Sequence, residues 1–187
     1  VQNQVYTPTR SELQRSRSHE FSNLVPLSPQ DPERVPARGM TLPAKALRMI
    51  DRIDAYIPDG GPKGLGFIRA TKRVDPREWF FDAHFYQDPV LPGSLGIESF
   101  VQLLKYIARQ RWPQRVDCHR FALLTGKPLQ WTYRGQILPK NRLITVEAVV
   151  TEVEENPVPT IRAEGYLQVD GLYIYKMEDF GINLMEN

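Results

Sequence analysis

The run from Ser94 to about Trp112 limits the folds open to this chain more than any other segment. Leu95, Ile97, Phe100, Val101, Leu104, Ile107 and Ala108 recur there at three- and four-residue spacings, and Leu103 widens the stripe they form. A helix apolar over so much of its circumference must be wrapped by other elements. Ser94 is a suitable N-cap, and Trp112-Pro113 supplies the stop. Beyond the helix the sequence carries only strand signals. Phe121, Leu123, Leu129, Trp131 and Tyr133 flank Gly126-Lys127-Pro128, and the run from Leu143 to Glu154 alternates throughout. Ile161, Ala163, Gly165, Leu167 and Val169 then alternate against Arg162, Glu164, Tyr166 and Gln168, the pattern of a half-buried strand. Asp170-Gly171 makes a two-residue turn into a last strand from Leu172 to Leu184. One long buried helix followed by about four antiparallel strands predicts an α+β fold in which a sheet wraps the helix.

Upstream of the helix the chain changes character. Pro8, Pro26, Pro29, Pro32 and Pro36 lie among Ser, Gln, Asn and Arg with few large apolar residues, so residues 1–42 read as a Pro-rich linker or extension. Ser11 to Ser18 carries a short helical pattern, and Phe21, Leu24, Val25 and Leu27 are suited to docking on a domain surface. The folded domain is expected over 43–187. It opens with Ala46, Leu47, Met49, Ile50 and Ile53 as a short helix or strand, ahead of the breaker Asp59-Gly60-Gly61-Pro62. A strand comes next between Gly64 and Val74, ended by Asp75-Pro76.

Bulk properties narrow the function classes. A formal charge of +2 over 187 residues, with no basic run, argues against nucleic-acid binding. No apolar run approaches the ~20 residues that span a bilayer. Cys118 is the only cysteine, so the chain has no disulfide framework and no thiolate cluster for zinc, which fits a reducing, cytoplasmic compartment. A first residue of Val and the absence of a signal-peptide core suggest a domain cut from a longer chain.

Candidate chemistry concentrates just before the helix, in Trp79 to Glu98. His84 stands among aromatic residues on an extended segment, where an imidazole with a pKa near neutrality can accept or donate a proton. Glu98 lies near the first turn of the helix, a position that the helix dipole alone would favour for a carboxylate. Gln102 and Lys105 continue a polar stripe at i+4 and i+7, and on a buried helix such a stripe must face a cavity, a partner or an interface. Gly93 has no side chain to cover its N–H, which makes it the oxyanion donor of choice at a helix start. Asp88-Pro89 and Leu91-Pro92 fix an extended approach to it. His19 falls in the linker. Cys118 and His119 are neighbours on an extended chain and should point to opposite sides, so neither receives a catalytic role.

The run His84-Phe85-x-x-Asp88-Pro89-Val90-x-Pro92-Gly93-x-Leu95-Gly96-x-Glu98, with Gln102 after it, resembles the active-site signature of the β-hydroxyacyl-acyl carrier protein dehydratases. It is most similar to the β-hydroxydecanoyl dehydratase/isomerase branch and to the dehydratase domains of polyunsaturated fatty acid synthases. Leu47-Arg48-Met49-Ile50-Asp51-Arg52 resembles the family's entry segment, and Tyr133-Arg134-Gly135-Gln136-Ile137-Leu138-Pro139 the strand and turn after the helix. The resemblance implies a hot-dog fold, an antiparallel sheet around one long helix. It implies dehydration of a 3-hydroxyacyl thioester held on the phosphopantetheine of an acyl carrier protein, with no redox or metal cofactor. Carried over, His84 removes the α-proton, Glu98 protonates the leaving hydroxyl, the Gly93 N–H polarises the carbonyl, and Gln102 orients Glu98. Phe85, Pro92 and Leu95 are carried over as substrate-binding or supporting residues. The family places the histidine and the acid of each site on two different hot-dog units, so the partners implied are acyl carrier protein and a second unit, either another copy or an adjacent domain. The isomerising branch has Asp where this chain has Glu98, and Ser94 stands where that branch often has Cys, so dehydration is implied and isomerisation is left open. A hot-dog thioesterase and a catalytically silent hot-dog unit are the alternatives.

Overall fold

The structure is a computed structural model, and it describes residues 5–20, 39–43, 45–126 and 128–187. Phe21 to Leu27 and the prolines from Pro26 to Pro36 lie outside the described residues. The elements in chain order are α1 (Arg10–Arg15), β1 (Arg17–Glu20), β2 (Arg52–Ile57), β3 (Phe67–Arg73), α2 (Trp79–Ala83), α3 (Gly93–Arg111), β4 (His119–Leu123), β5 (Gln130–Tyr133), β6 (Leu143–Glu154), β7 (Thr160–Val169) and β8 (Leu172–Glu186). All strand pairs are antiparallel, in the order β1-β2-β3-β6-β7-β8-β4. β8 carries β7 on one side, while on its other side β5 pairs with Tyr175–Glu178 and β4 with Ile182–Glu186. This is the expected sheet around one long helix, the hot-dog arrangement.

α3 is the axis of the core. Phe100, Leu103, Leu104, Tyr106, Ile107 and Ala108 are all at most 1% exposed, against inward residues of β3, β6, β7 and β8. Each large apolar side chain so buried contributes about 1.5–3 kcal/mol relative to exposure. The sheet approaches the helix closely because glycines stand where they meet. A Cβ on Gly165 of β7 would sit 2.8 Å from the Phe100 ring, and one on Gly96 of α3 would overlap the Tyr175 ring. In β7 the residues expected to face inward are buried and Glu164 is exposed. At the β7–β8 turn Asp170 and Gly171 both have positive φ, 50° and 86°, as a two-residue hairpin turn requires. The Asp170 carboxylate also accepts from Asn141 Nδ2 (2.9 Å) and from the N–H groups of Leu143 (2.9 Å) and Arg142 (3.0 Å), which holds it below the usual carboxylate range.

Three expectations are corrected. α3 starts at Gly93 with Pro92 as its cap, and exposed Ser94 makes no capping bond. The Pro92 carbonyl accepts from Leu95 N–H (2.9 Å) and Gly96 N–H (3.4 Å), so the first turn closes before Ser94 is in position to cap it. The segment Ser11 to Ser18 is not one helix: α1 ends at Arg15, and Arg17–Glu20 form β1 on the edge of β2, with Arg17 opposite Tyr56 and Glu20 opposite Arg52. Within the span read as linker, residues 5–20 therefore include a turn of helix and a strand of the sheet. Thr9 and Glu12 make a full capping box on α1, and the Tyr6 ring packs on Phe67 at 5.4 Å. Finally, Cys118 Sγ lies 3.2 Å from His119 Nδ1. Cys118 belongs to the turn before β4, where the strict alternation of a strand does not apply.

Candidate active site

His84 caps the C-terminus of the short helix α2, in extended conformation (φ −147°, ψ 106°). Its Nδ1 lies 3.1 Å from the Val90 carbonyl oxygen, and the Val90 N–H returns a 2.8 Å bond to the His84 carbonyl. A carbonyl only accepts, so Nδ1 carries the proton and the neutral ring keeps its Nε2 lone pair free. The loop that does this is itself stitched down: Val90 and Leu91 are buried, and the Leu91 N–H donates to the Ile137 carbonyl at 2.9 Å. Phe85 stacks on the imidazole, with ring centroids 3.8 Å apart, and remains 58% exposed.

His84 lines an open depression of about 400 Å³, together with Phe85, Val90, Leu91, Gly93, Trp131, Tyr133 and Gln136. β5 supplies its aromatic wall. A Cβ on Gly93 would lie 2.7 Å from the Trp131 ring, so a glycine is what lets that wall close over the helix start. The Gly93 and Ser94 N–H groups have no acceptor among the described residues, and both belong to the first turn of a 19-residue helix, where the dipole favours negative charge. Behind this wall the buried Tyr175 ring meets Trp131 edge-on at 5.5 Å. Burial pushes its phenol up, so it stays a neutral O–H.

Glu98 and Gln102 form a separate cluster. Gln102 is fully buried; its Oε1 accepts from the Met49 N–H (2.9 Å), and its Nε2 donates to the Leu47 carbonyl (2.8 Å) and to Glu98 Oε1 (3.0 Å). The polar stripe of α3 thus faces a segment of the chain itself, Leu47 to Met49, as well as the protein's exterior. Lys105 Nζ also donates to Glu98 Oε1, at 3.2 Å, and both side chains keep about a fifth of their surface exposed, 18% for Lys105 and 19% for Glu98.

The structure brings His84, Phe85 and Gly93 together and brings Glu98 and Gln102 together. Among the described residues no hydrogen bond or ion pair joins the two groups, and Glu98 does not line the His84 depression. Pro92 is the helix cap, and Leu95 is a core residue beside a small internal gap with Met49, Leu91 and Ser99. Sequence reasoning misses the walls supplied by Trp131, Tyr133 and Gln136. The alternation of Trp131 and Tyr133 on a strand predicted to come after the helix is their signal. It also leaves Lys105 without a partner, although the residue shares the face of Glu98. No group of three or more His, Cys, Asp or Glu side chains among the described residues is arranged to hold a metal. No described helix is long and apolar enough to cross a membrane.

Comparison with known proteins gives this arrangement a family. One of the subunits of the polyunsaturated fatty acid synthase of Thraustochytrium sp. (strain ATCC 26185 / S-3) is 38% identical over 140 residues. The match takes in 72% of this chain and 9% of that relative, so the chain corresponds to a small part of a much longer protein. Among solved structures, the dehydratase heterocomplex ApeI:P from Xenorhabdus doucetiae aligns with a TM-score of 0.52 at 14% identity, over 78% of this chain and 86% of that one. A probable thioesterase from Bartonella henselae aligns with a TM-score of 0.46 at 11% identity, over 65% and 93%. The family model described as FabA-like domain matches residues 42–178, a span that takes in both the His84 loop and the whole of α3, and the chain belongs to that family.

Proposed function

We propose that this chain is a dehydratase unit that removes water from a 3-hydroxyacyl thioester carried on acyl carrier protein, leaving a trans-2-enoyl thioester. His84 Nε2 takes the proton from Cα, and the electron pair of that C–H bond becomes the Cα=Cβ double bond. The Cβ–O bond breaks with its pair on oxygen, and the departing hydroxyl takes a proton from Glu98 to leave as water. The Gly93 N–H donates to the thioester oxygen as negative charge builds on it. Gln102 orients Glu98, and Phe85 and the β5 aromatics contact the substrate. The phosphopantetheine arm belongs to the substrate, and the chemistry needs no metal or redox group. The unit is taken as residues 43–187, with residues 5–20 completing one edge of its sheet.

The observation that carries this reading is the His84–Val90 hydrogen bond beside the unpaired N–H groups of the α3 start. It leaves a base and an oxyanion donor lining one depression, which is what enolate chemistry next to a carbonyl requires. Glu98 lies in a different cluster, so a second hot-dog unit, a copy or a neighbouring domain, would bring an acid to His84 and an imidazole to Glu98.

Mass spectrometry of 3-hydroxyacyl chains on carrier protein tests the assignment. Loss of water (~18 Da) on incubation with the chain, absent with His84→Ala, is expected. Release of free acid would make it a thioesterase. An unchanged substrate, with and without a candidate partner unit, would make it a silent unit.

A further inference from the structure

Lys105 has one partner among the described residues, Glu98, and the dehydration scheme does not use it. On elements packed against α3, Lys72 pairs with Glu78 at 2.6 Å, Glu147 with Arg69 at 2.9 Å and Lys176 with Glu178 at 2.6 Å. Arg48, between the two backbone groups that hold Gln102, has buried Nε and Nη2 atoms with no partner among the described residues. Among the described residues Glu98 accepts hydrogen bonds from Lys105 and Gln102 alone. Both donate to the same oxygen, Oε1, and Oε2 accepts no hydrogen bond among the described residues.

We propose that Lys105 is a positioning residue for the acid step: with Gln102 it saturates Glu98 Oε1, so that the proton delivered to the leaving hydroxyl is carried on Oε2. The inference rests on reading Glu98 as the acid. An oxygen already receiving an ammonium N–H and an amide N–H has no place for a third hydrogen, so the acid form is protonated on the other oxygen. When Oε2 gives that proton to the departing hydroxyl, water leaves and Glu98 becomes a carboxylate. The fixed ammonium then faces the charge that appears, in a site only about a fifth open to solvent at Lys105 (18%). Gln102 is neutral and supplies geometry without charge. Glu98, Gln102 and Lys105 fall on one face of the helix at i, i+4 and i+7, so the backbone itself keeps the trio aligned.

The test uses the full chain with 3-hydroxyacyl-carrier protein substrate and compares Lys105→Met, Lys105→Arg and Glu98→Gln. Lys105→Met is expected to lower kcat about tenfold with KM held within about twofold and Tm unchanged, and Lys105→Arg to recover most of the loss. In the same proteins labelled with 13C-glutamate, the Glu98 carboxyl resonance, identified by its loss in Glu98→Gln, is expected to move in Lys105→Met and return in Lys105→Arg. An unmoved resonance overturns the proposal whether or not the isolated chain turns over. So does a Lys105→Met enzyme with unchanged kcat, or one whose loss lies only in KM. Turnover by Glu98→Gln would instead sink the reading of Glu98 as the acid, while the resonance still judges the pair.

Discussion

His84 and Glu98 stand only fourteen residues apart in sequence, yet they are secured by different materials. The imidazole is oriented by backbone: a carbonyl at Val90, an amide returned from Val90, and a loop tied to Ile137. The carboxylate is oriented by side chains, directly by Gln102 and Lys105 and indirectly by the Leu47–Met49 backbone that Gln102 grips. Any residue supplies a carbonyl, so the imidazole should keep its orientation through changes in its supporting loop that keep the fold. The carboxylate depends on particular functional groups, those of Gln102 and Lys105, one and two turns along the helix.

The largest effects should come from the two groups proposed to react. His84→Ala and Glu98→Gln are each expected to reduce turnover by about 10²–10⁴ while leaving the thermal transition in place, measured by enoyl product formation and calorimetry. Full activity in either would remove that residue from the scheme. Gln102→Ala comes next, and it should strike both rate and stability. It leaves the Met49 N–H buried without an acceptor, a cost of about 1–3 kcal/mol, and frees Glu98 to rotate. Denaturant titration and kcat on the same protein would check the pair of effects. Gly96→Ala is expected to destabilise by about 1–3 kcal/mol, because its Cβ overlaps the buried Tyr175 ring, again read by denaturant titration. Val90→Ile sharpens the comparison from the other side. The carbonyl that holds His84 survives the change, so kcat should stay within about twofold of the parent, and a large loss would show that the side chain, not the backbone, sets the imidazole.

The smallest effect concerns neither half. Glu12 accepts from the Tyr6 hydroxyl and from Thr9, and these bonds, the Tyr6 hydroxyl foremost, bring its carboxyl from 4.5 down to about 2. A folded value below the unfolded one means that the contribution is complete above about 4.5 and is lost as the pH falls toward about 2. Hydrogen exchange of the β1 amides should therefore quicken relative to β6 between about pH 5 and about pH 3, once intrinsic rates are divided out.

The wrapped helix was legible because burial imprints a wide stripe on the sequence, and the alternation of β6 and β7 was legible for the same reason. The depression was less so. Its floor is the contiguous His84–Gly93 motif, but its wall comes from β5, four residues long and mostly exposed, where no burial pattern announces a partner. Ser94 shows the limit of capping rules: a good cap residue loses its role when a preceding proline carbonyl closes the turn two positions earlier. The pairing of Lys105 with Glu98 also escaped, since a lysine on a helix face is more often just solvated, and only the burial of Gln102 between them shows that this face is partly enclosed.

β1 lies outside the residues matched by the family, yet it is hydrogen-bonded to β2 across the sheet's first edge. A protein trimmed to the family boundary would uncover a row of unmatched N–H and C=O groups along Arg52–Ile57, the kind of border to which another chain's strand adheres. The short N-terminal strand puts an edge of four residues in place of one of six, so a fragment begun after it is expected to self-associate more readily.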